Sequence, residues 1–279
     1  MKKIIIASAI ISTFATSFSY AQEAQTVAQP AATATEPAVA VVDVPLTSTG
    51  VTSAAPATAA VPDNAVTFNI GAVSDYRFRG ISQTRLMPAL QGGADYVNNP
   101  TGFYAGTWLS TLKWIKDSGG HDNIEWDIYG GKKGNITTDL TYDIGVLNYV
   151  YPSNDLPTNA NTTEIYGQLG YGPAYIKYSS SVTNLFGFAN SKNSGYLDIG
   201  ANIDVTNGYT LNLHAGHQTV KNNSASSYND WKVGVTKDFG FLSASLAVIG
   251  TDTKNYVGPS PDMKNLGKTA LNLNLTKTF

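Results

Sequence analysis

VTFNIGAVSDYRFRGISQTRLMPALQGGADYV, Val66 to Val97, opens the patterned part of the chain with a regular alternation of apolar and polar residues. Val66, Phe68, Ile70, Ala72, Tyr76 and Phe78 share one parity, and Thr67, Asn69, Gly71, Asp75, Arg77 and Arg79 share the other. That period of two is the signature of a β-strand with one apolar and one polar face. The alternation predicts a strand over 65–80 and an antiparallel partner over 88–97. The polar face carries Asp75, Arg77 and Arg79 at successive positions, a charge density that points to an enclosed polar lumen rather than to a solvated sheet face.

Working outward, the same alternation recurs to the end of the chain. Segments over 101–115, 121–131, 136–150, 162–171, 173–183, 195–205, 208–219, 228–238, 240–251 and 268–279 complete twelve strands. Short breaks such as Thr206-Asn207-Gly208 take turns with long ones such as 152–161 and 253–267. Short periplasmic turns alternating with longer extracellular loops are the pattern of an all-β, antiparallel, up-and-down transmembrane barrel, and an even count puts both barrel ends in the periplasm. The segments average near the length of about 9 to 11 residues that spans a bilayer as a tilted strand, with some overshoot expected outside the lipid.

Parity assigns the faces. Leu197, Ile199 and Ile203 oppose Asp198, Asn202 and Asp204, while Ile124, Trp126 and Ile128 oppose Glu125 and Asp127. A charge in hydrocarbon is costly, so the acidic set turns inward. The lumen candidates are Asp75, Arg77, Arg79, Asp95, Glu125, Asp127, Asp139, Asp143, Glu164, Lys177, Asp198 and Lys232, with Asp204 and Asp238 beside them. Acids outnumber bases, which predicts a weak cation preference if the lumen holds water. If side chains fill it, the same groups neutralise one another in a closed barrel. Arg77 and Arg79 either bind an anionic group at a constriction or lock the first strand by pairing with Asp75 or Asp95. The third strand resists assignment: Tyr104, Trp108, Leu112 and Trp114 share one parity, and Phe103, Ala105 and Leu109 the other.

Composition fits this class. The 279 residues include 26 glycines, 16 tyrosines, no cysteine and only 14% charged residues, which excludes disulfide scaffolds and zinc-thiolate sites. A net charge of −2 gives no electrostatic footprint for nucleic acid. Residues 1–21 read as a signal peptide, with Lys2 and Lys3 ahead of an apolar segment and Ser19-Tyr20-Ala21 as the cleavage site. Residues 22–64, rich in Ala, Thr and Pro with no aromatic or basic residue, read as a disordered periplasmic tether. Residues 65–279 form the barrel.

SDYRFRGISQT (74–84), PALQGGADY (88–96) and GFYAGTW (102–108) together resemble the opening of the TorF porin family of proteobacterial outer-membrane proteins. The resemblance implies a Gram-negative outer-membrane barrel more firmly than it implies a solute. The final TALNLNLTKTF, with Leu271, Leu273, Leu275 and Phe279, is similar to the terminal pattern read by the barrel-insertion machinery; Lys277 departs from it. The expected partners are outer-membrane lipids and lipopolysaccharide, that machinery, and small polar solutes, with no cofactor and no metal.

The expected function is therefore a passive, narrow channel, with a closed structural or surface-interaction barrel as the alternative. An outer-membrane lipase is the remote third, since some twelve-stranded barrels carry a Ser-His-Asn site on the lipid-facing wall. Here His217 lies on the apolar parity and His214 on the polar one, but no motif fixes Ser243 or Ser245 near His217.

Overall fold

The computed structural model describes residues 62–279. The proposed signal peptide, and the tether apart from its last few residues, lie outside the described residues. In chain order the elements are β1 (Asn64–Val73), β2 (Arg77–Phe78), β3 (Ile81–Ser82), β4 (Ala89–Asn98), β5 (Phe103–Thr111), α1 (Trp114–Asp117), β6 (Ile124–Asn135), β7 (Leu140–Val150), β8 (Thr162–Tyr171), β9 (Ala174–Ser181), β10 (Gly195–Thr206), β11 (Tyr209–Thr219), β12 (Tyr228–Asp238), β13 (Ser243–Thr251) and β14 (Ala270–Thr278). Twelve of these strands close an antiparallel barrel in chain order, and β2 and β3 form a separate two-stranded sheet. The seam joins β1 to β14, in register from Asn69 opposite Thr278 to Val73 opposite Asn274. The backbone of Phe279 exchanges hydrogen bonds of 2.8 and 3.2 Å with Phe68 and extends that seam.

Period-2 alternation places the faces as parity requires. On β1, Val66, Phe68 and Ile70 are exposed; on β14, Leu271, Leu273 and Leu275 are exposed while Asn272, Asn274 and Thr276 are buried. An apolar outer wall around a polar interior is the inverse of a soluble barrel and suits lipid outside. The ambiguous third strand resolves in the same way: on β5, Tyr104, Trp108 and Ser110 turn inward, and Phe103 and Leu109 outward. One end of the barrel is joined by tight turns. At Asn207-Gly208 both residues take positive φ, 51° and 73°, as a two-residue hairpin loop of the primed type demands. The other end carries the long loops and α1.

Inward tyrosines lie across inward glycines of the neighbouring strand. Tyr104 stands opposite Gly131 and Tyr166 opposite Gly145. A Cβ placed on Gly131 would stand 2.5 Å from the Tyr104 hydroxyl and 2.4 Å from the Ile144 carbonyl oxygen. The glycine is what lets the ring lie along the wall. Gly131→Val should therefore cost about 1–3 kcal/mol through overpacking. A urea titration of the folded fraction, read by heat-modifiable gel migration, would register it as an earlier midpoint.

The largest departure from the alternation is at the first strand. β1 stops at Val73 instead of running to residue 80. Its continuation turns into the lumen as the β2–β3 hairpin, whose tip Arg79-Gly80 takes φ of 46° and 76°, again the primed geometry. Asp75 stabilises the turn, accepting hydrogen bonds from Ser82 at 2.5 Å and Thr84 at 3.2 Å. Tyr76 and Phe78, expected on the outer face, instead point inward: Tyr76 packs edge-on to Trp108, and Phe78 to Tyr149 and Phe186.

Candidate functional site

The site is the interior at the long-loop end, where the 74–88 segment crosses the barrel. Around the ring β8 lies five strands from β1, close to the far side. Arg79 reaches it. Its Nη2 donates to Glu164 Oε2 at 2.7 Å and its Nη1 to Glu164 Oε1 at 3.1 Å, a bidentate fork, and Nη1 also donates to Gln218 Oε1 at 2.7 Å. The guanidinium lies 4.2 Å from the centre of the Tyr196 ring and 4.7 Å from that of Phe78. At the tip, a Cβ on Gly80 would meet Thr251 Cγ2 at 2.6 Å and Asp230 Cβ at 2.8 Å, so β12 and β13 bound the hairpin there.

Arg77 holds the base of the strap. Its Nε pairs with Asp75 at 2.5 Å, and its Nη1 donates to the carbonyls of Gly80, Leu266 and Lys268 at 2.9, 3.2 and 3.0 Å. Of the two pairings expected for the arginines, Arg77 with Asp75 is present. Arg79 pairs with Glu164, not with Asp95, because the hairpin carries it away from its own strand.

Most of the lumen acids meet tyrosine hydroxyls. Tyr76 donates to Glu125 at 2.9 Å and Tyr151 to the same carboxylate at 3.4 Å. Tyr129 donates to Asp95 at 2.5 Å, Tyr104 to Asp143 at 2.6 Å, and Tyr196 to Asp230 at 2.9 Å. Burial, and next the charge of Glu125, push the phenols of Tyr76 and Tyr151 well above the ordinary value, so both stay protonated as donors. A tyrosine partner satisfies an acid's hydrogen bonding but brings no positive charge to it.

Asp127 differs from its neighbours. It is 0% exposed, and among the described residues neither carboxylate oxygen has a hydrogen-bond partner, nor does the indole N–H of Trp108, opposite it in register on β5. Elsewhere Asp198 meets His214 Nδ1 at 2.8 Å, and His214 Nε2 meets Asp230 at 2.6 Å. Lys177, opposite Asp198 in register, also lies 4.5 Å from the centre of the Tyr166 ring. Lys232 is half-buried on β12. Asp139 leaves the set: it is exposed in the turn before β7, since that strand begins at Leu140. Asp204 is likewise exposed, and Asp238 is half-buried, accepting from the Gly240 amide at 2.7 Å.

Parity missed the aromatic half of the site, Tyr76, Tyr149, Tyr151 and Tyr196, together with Gln218 and Asp230. The cross-strand tyrosine and glycine pairs are the sequence signal for inward rings. His217 faces outward, its Nδ1 2.8 Å from Asn229 Oδ1, and Asn229 donates to Asp252 at 2.6 Å. Ser243 and Ser245 lie near the tight-turn end on the inward parity of β13, far from His217, so that triad does not assemble.

A closed twelve-stranded barrel with an apolar exterior, a charged interior and a loop folded into one mouth has the fold of outer-membrane porins. The KdgM porin superposes with a TM-score of 0.51 at 5% sequence identity, covering 76% of this chain and 98% of its own. LpxR from Salmonella typhimurium (TM-score 0.40, 12% identity, 76% of this chain and 99% of its own) and OccAB3 from Acinetobacter baumannii (0.38, 12%, 80% and 66%) are more distant. No curated relative matches. The chain belongs to the family described as bacterial protein of unknown function (Gcw_chp), whose model matches residues 56–279.

Proposed function

We propose that the protein is a narrow, porin-like outer-membrane channel for small polar solutes or ions, cation-preferring, whose entrance is closed at rest by the β2–β3 hairpin. The observation that carries this reading is how the hairpin is held. It spans a polar-lined lumen by ion pairs and hydrogen bonds to wall side chains, chiefly Arg79 to Glu164 and Gln218. Tyr76 and Phe78 add aromatic packing against Trp108, Tyr149 and Phe186, so the strap is tied to the wall by side chains and adds no strand to the barrel ladder. The likeness of residues 74–108 to the TorF porins supports the same reading, with the long loops outside the cell and the tether in the periplasm.

The filled structural barrel is favoured by one observation of its own: Glu125, Asp127 and Glu164 are at most 2% exposed. Planar-bilayer recording of the refolded protein separates the two. Conductance with a reversal potential on the cation side in a KCl gradient supports the channel, and silence of every preparation supports the filled barrel. The triple variant Glu125→Gln, Asp127→Asn, Asp143→Asn should move the reversal potential towards anions. Arg77→Gln with Arg79→Gln should move it towards cations, because fixed charge in a narrow pore sets the local ion ratio within a screening length of about 10 Å at 0.1 M salt.

A further inference from the structure

The geometry points to a binding site for guanidinium- and alkylammonium-bearing solutes on the barrel wall, with Arg79 as its built-in occupant. For its role in permeation the inference rests on the channel reading; for binding it stands on the site alone. Three groups that receive the guanidinium belong to the wall: Glu164 on β8, Gln218 on β11 and Tyr196 on β10, all buried. The wall is also set in advance. Gln218 commits its amide N–H groups to the carbonyls of Gly195 and Thr219, both at 3.1 Å, which leaves Oε1 as an acceptor aimed inward. Tyr149 donates to Glu164 at 3.4 Å and steadies the carboxylate. A carboxylate fork, an amide acceptor and an aromatic face together fit a planar cation.

A second observation points the same way from next door. Asp127, opposite Tyr149 in register, has both oxygens buried and unpartnered. Protonation would not satisfy it, since the acid proton would still need an acceptor. With the hairpin withdrawn, Glu125 loses the Tyr76 donor, Glu164 loses Arg79, and the arc from β6 to β8 presents three carboxylates beside Trp108, Tyr149 and Tyr196. Lys177 on β9 stands opposite Asp198 in register, with its ammonium 4.5 Å from the centre of the Tyr166 ring. A guanidinium can repeat the bidentate fork that Arg79 makes with Glu164, which neither a neutral solute nor an anion reproduces. A cationic solute entering the mouth competes with Arg79 for Glu164, and displacing it releases the strap.

Chemical rescue tests this on the full-length protein refolded in micelles. Arg79→Ala should melt below the parent, and millimolar methylguanidinium should raise its melting temperature saturably. At ten times the dissociation constant the rise is on the order of 3–6 °C. Equal concentrations of NaCl or urea should not reproduce it, and Glu164→Gln in the same background should abolish it. If the alanine variant does not fold, Arg79→Gln takes its place, with equilibrium dialysis against labelled agmatine expected to show more binding than to the parent. Absence of saturable, guanidinium-specific stabilisation or binding overturns the site. Rescue in a protein that never conducts would leave the site standing and remove the channel.

Discussion

Replacing residues 76–87 by a short Gly-Ser linker should raise single-channel conductance at least several-fold over the parent and make it insensitive to voltage-driven closure. The expectation follows from where the segment's side chains go. Tyr76, Phe78 and Arg79 occupy the mouth itself, in contact with Trp108, Tyr149, Glu164 and Tyr196, while the wall strands pair with one another without any help from the hairpin. Removing the strap should therefore empty the mouth and leave the barrel closed by its own ladder. The bared wall carries Glu125, Asp127 and Glu164 without Arg77 and Arg79, so the same recording should show stronger cation selectivity. Conductance equal to the parent's would mean that the ion path does not pass the hairpin.

How the hairpin escaped the alternation is instructive. Period-2 patterning records which side of a strand a residue is on, and it marks the twelve wall strands because lipid and lumen constrain alternate positions along each of them. It cannot register a strand that stops while the next segment keeps the same parity. Tyr76 and Phe78 continue the apolar parity of Val66, Phe68 and Ile70, so the pattern reads straight through Ser74-Asp75. The information was in the turn chemistry: Asp75 as a side-chain acceptor for Ser82 and Thr84, and Arg79-Gly80 as a two-residue loop. Parity likewise placed Glu125, Asp127 and Glu164 on the inner wall but could not name their partners. Glu125 meets Tyr76 from 49 residues away, and Glu164 meets Arg79 from 85. Asp139 shows the opposite error, an inward parity extended one residue beyond the end of its strand.

The second large effect is expected from locking the strap. The chain contains no cysteine, so a pair introduced at Gly80 and Thr251 can form only one intramolecular disulfide. An ideal Cβ at Gly80 stands 2.6 Å from Thr251 Cγ2, which places the two β-carbons near the separation of about 3.5–4.5 Å that a disulfide spans. Asp230 Cβ, 2.8 Å from the same point, is closer than β-carbons stand, so the hairpin tip must shift away from β12 to accept the new side chain. A cysteine at the φ of 76° that Gly80 holds costs about 1–2 kcal/mol, and the reduced form of the same variant controls for that cost. Oxidised, the variant should lose nearly all conductance, because the tip is then tied to β13 and the hairpin cannot leave the mouth. Reduction in the recording chamber should restore openings within the same membrane. An oxidised barrel that conducts like its reduced form would show that solutes pass with the hairpin in place, and the gate would have to be sought at the half-buried inward groups of the tight-turn end, Thr67, Asn69 and Lys133.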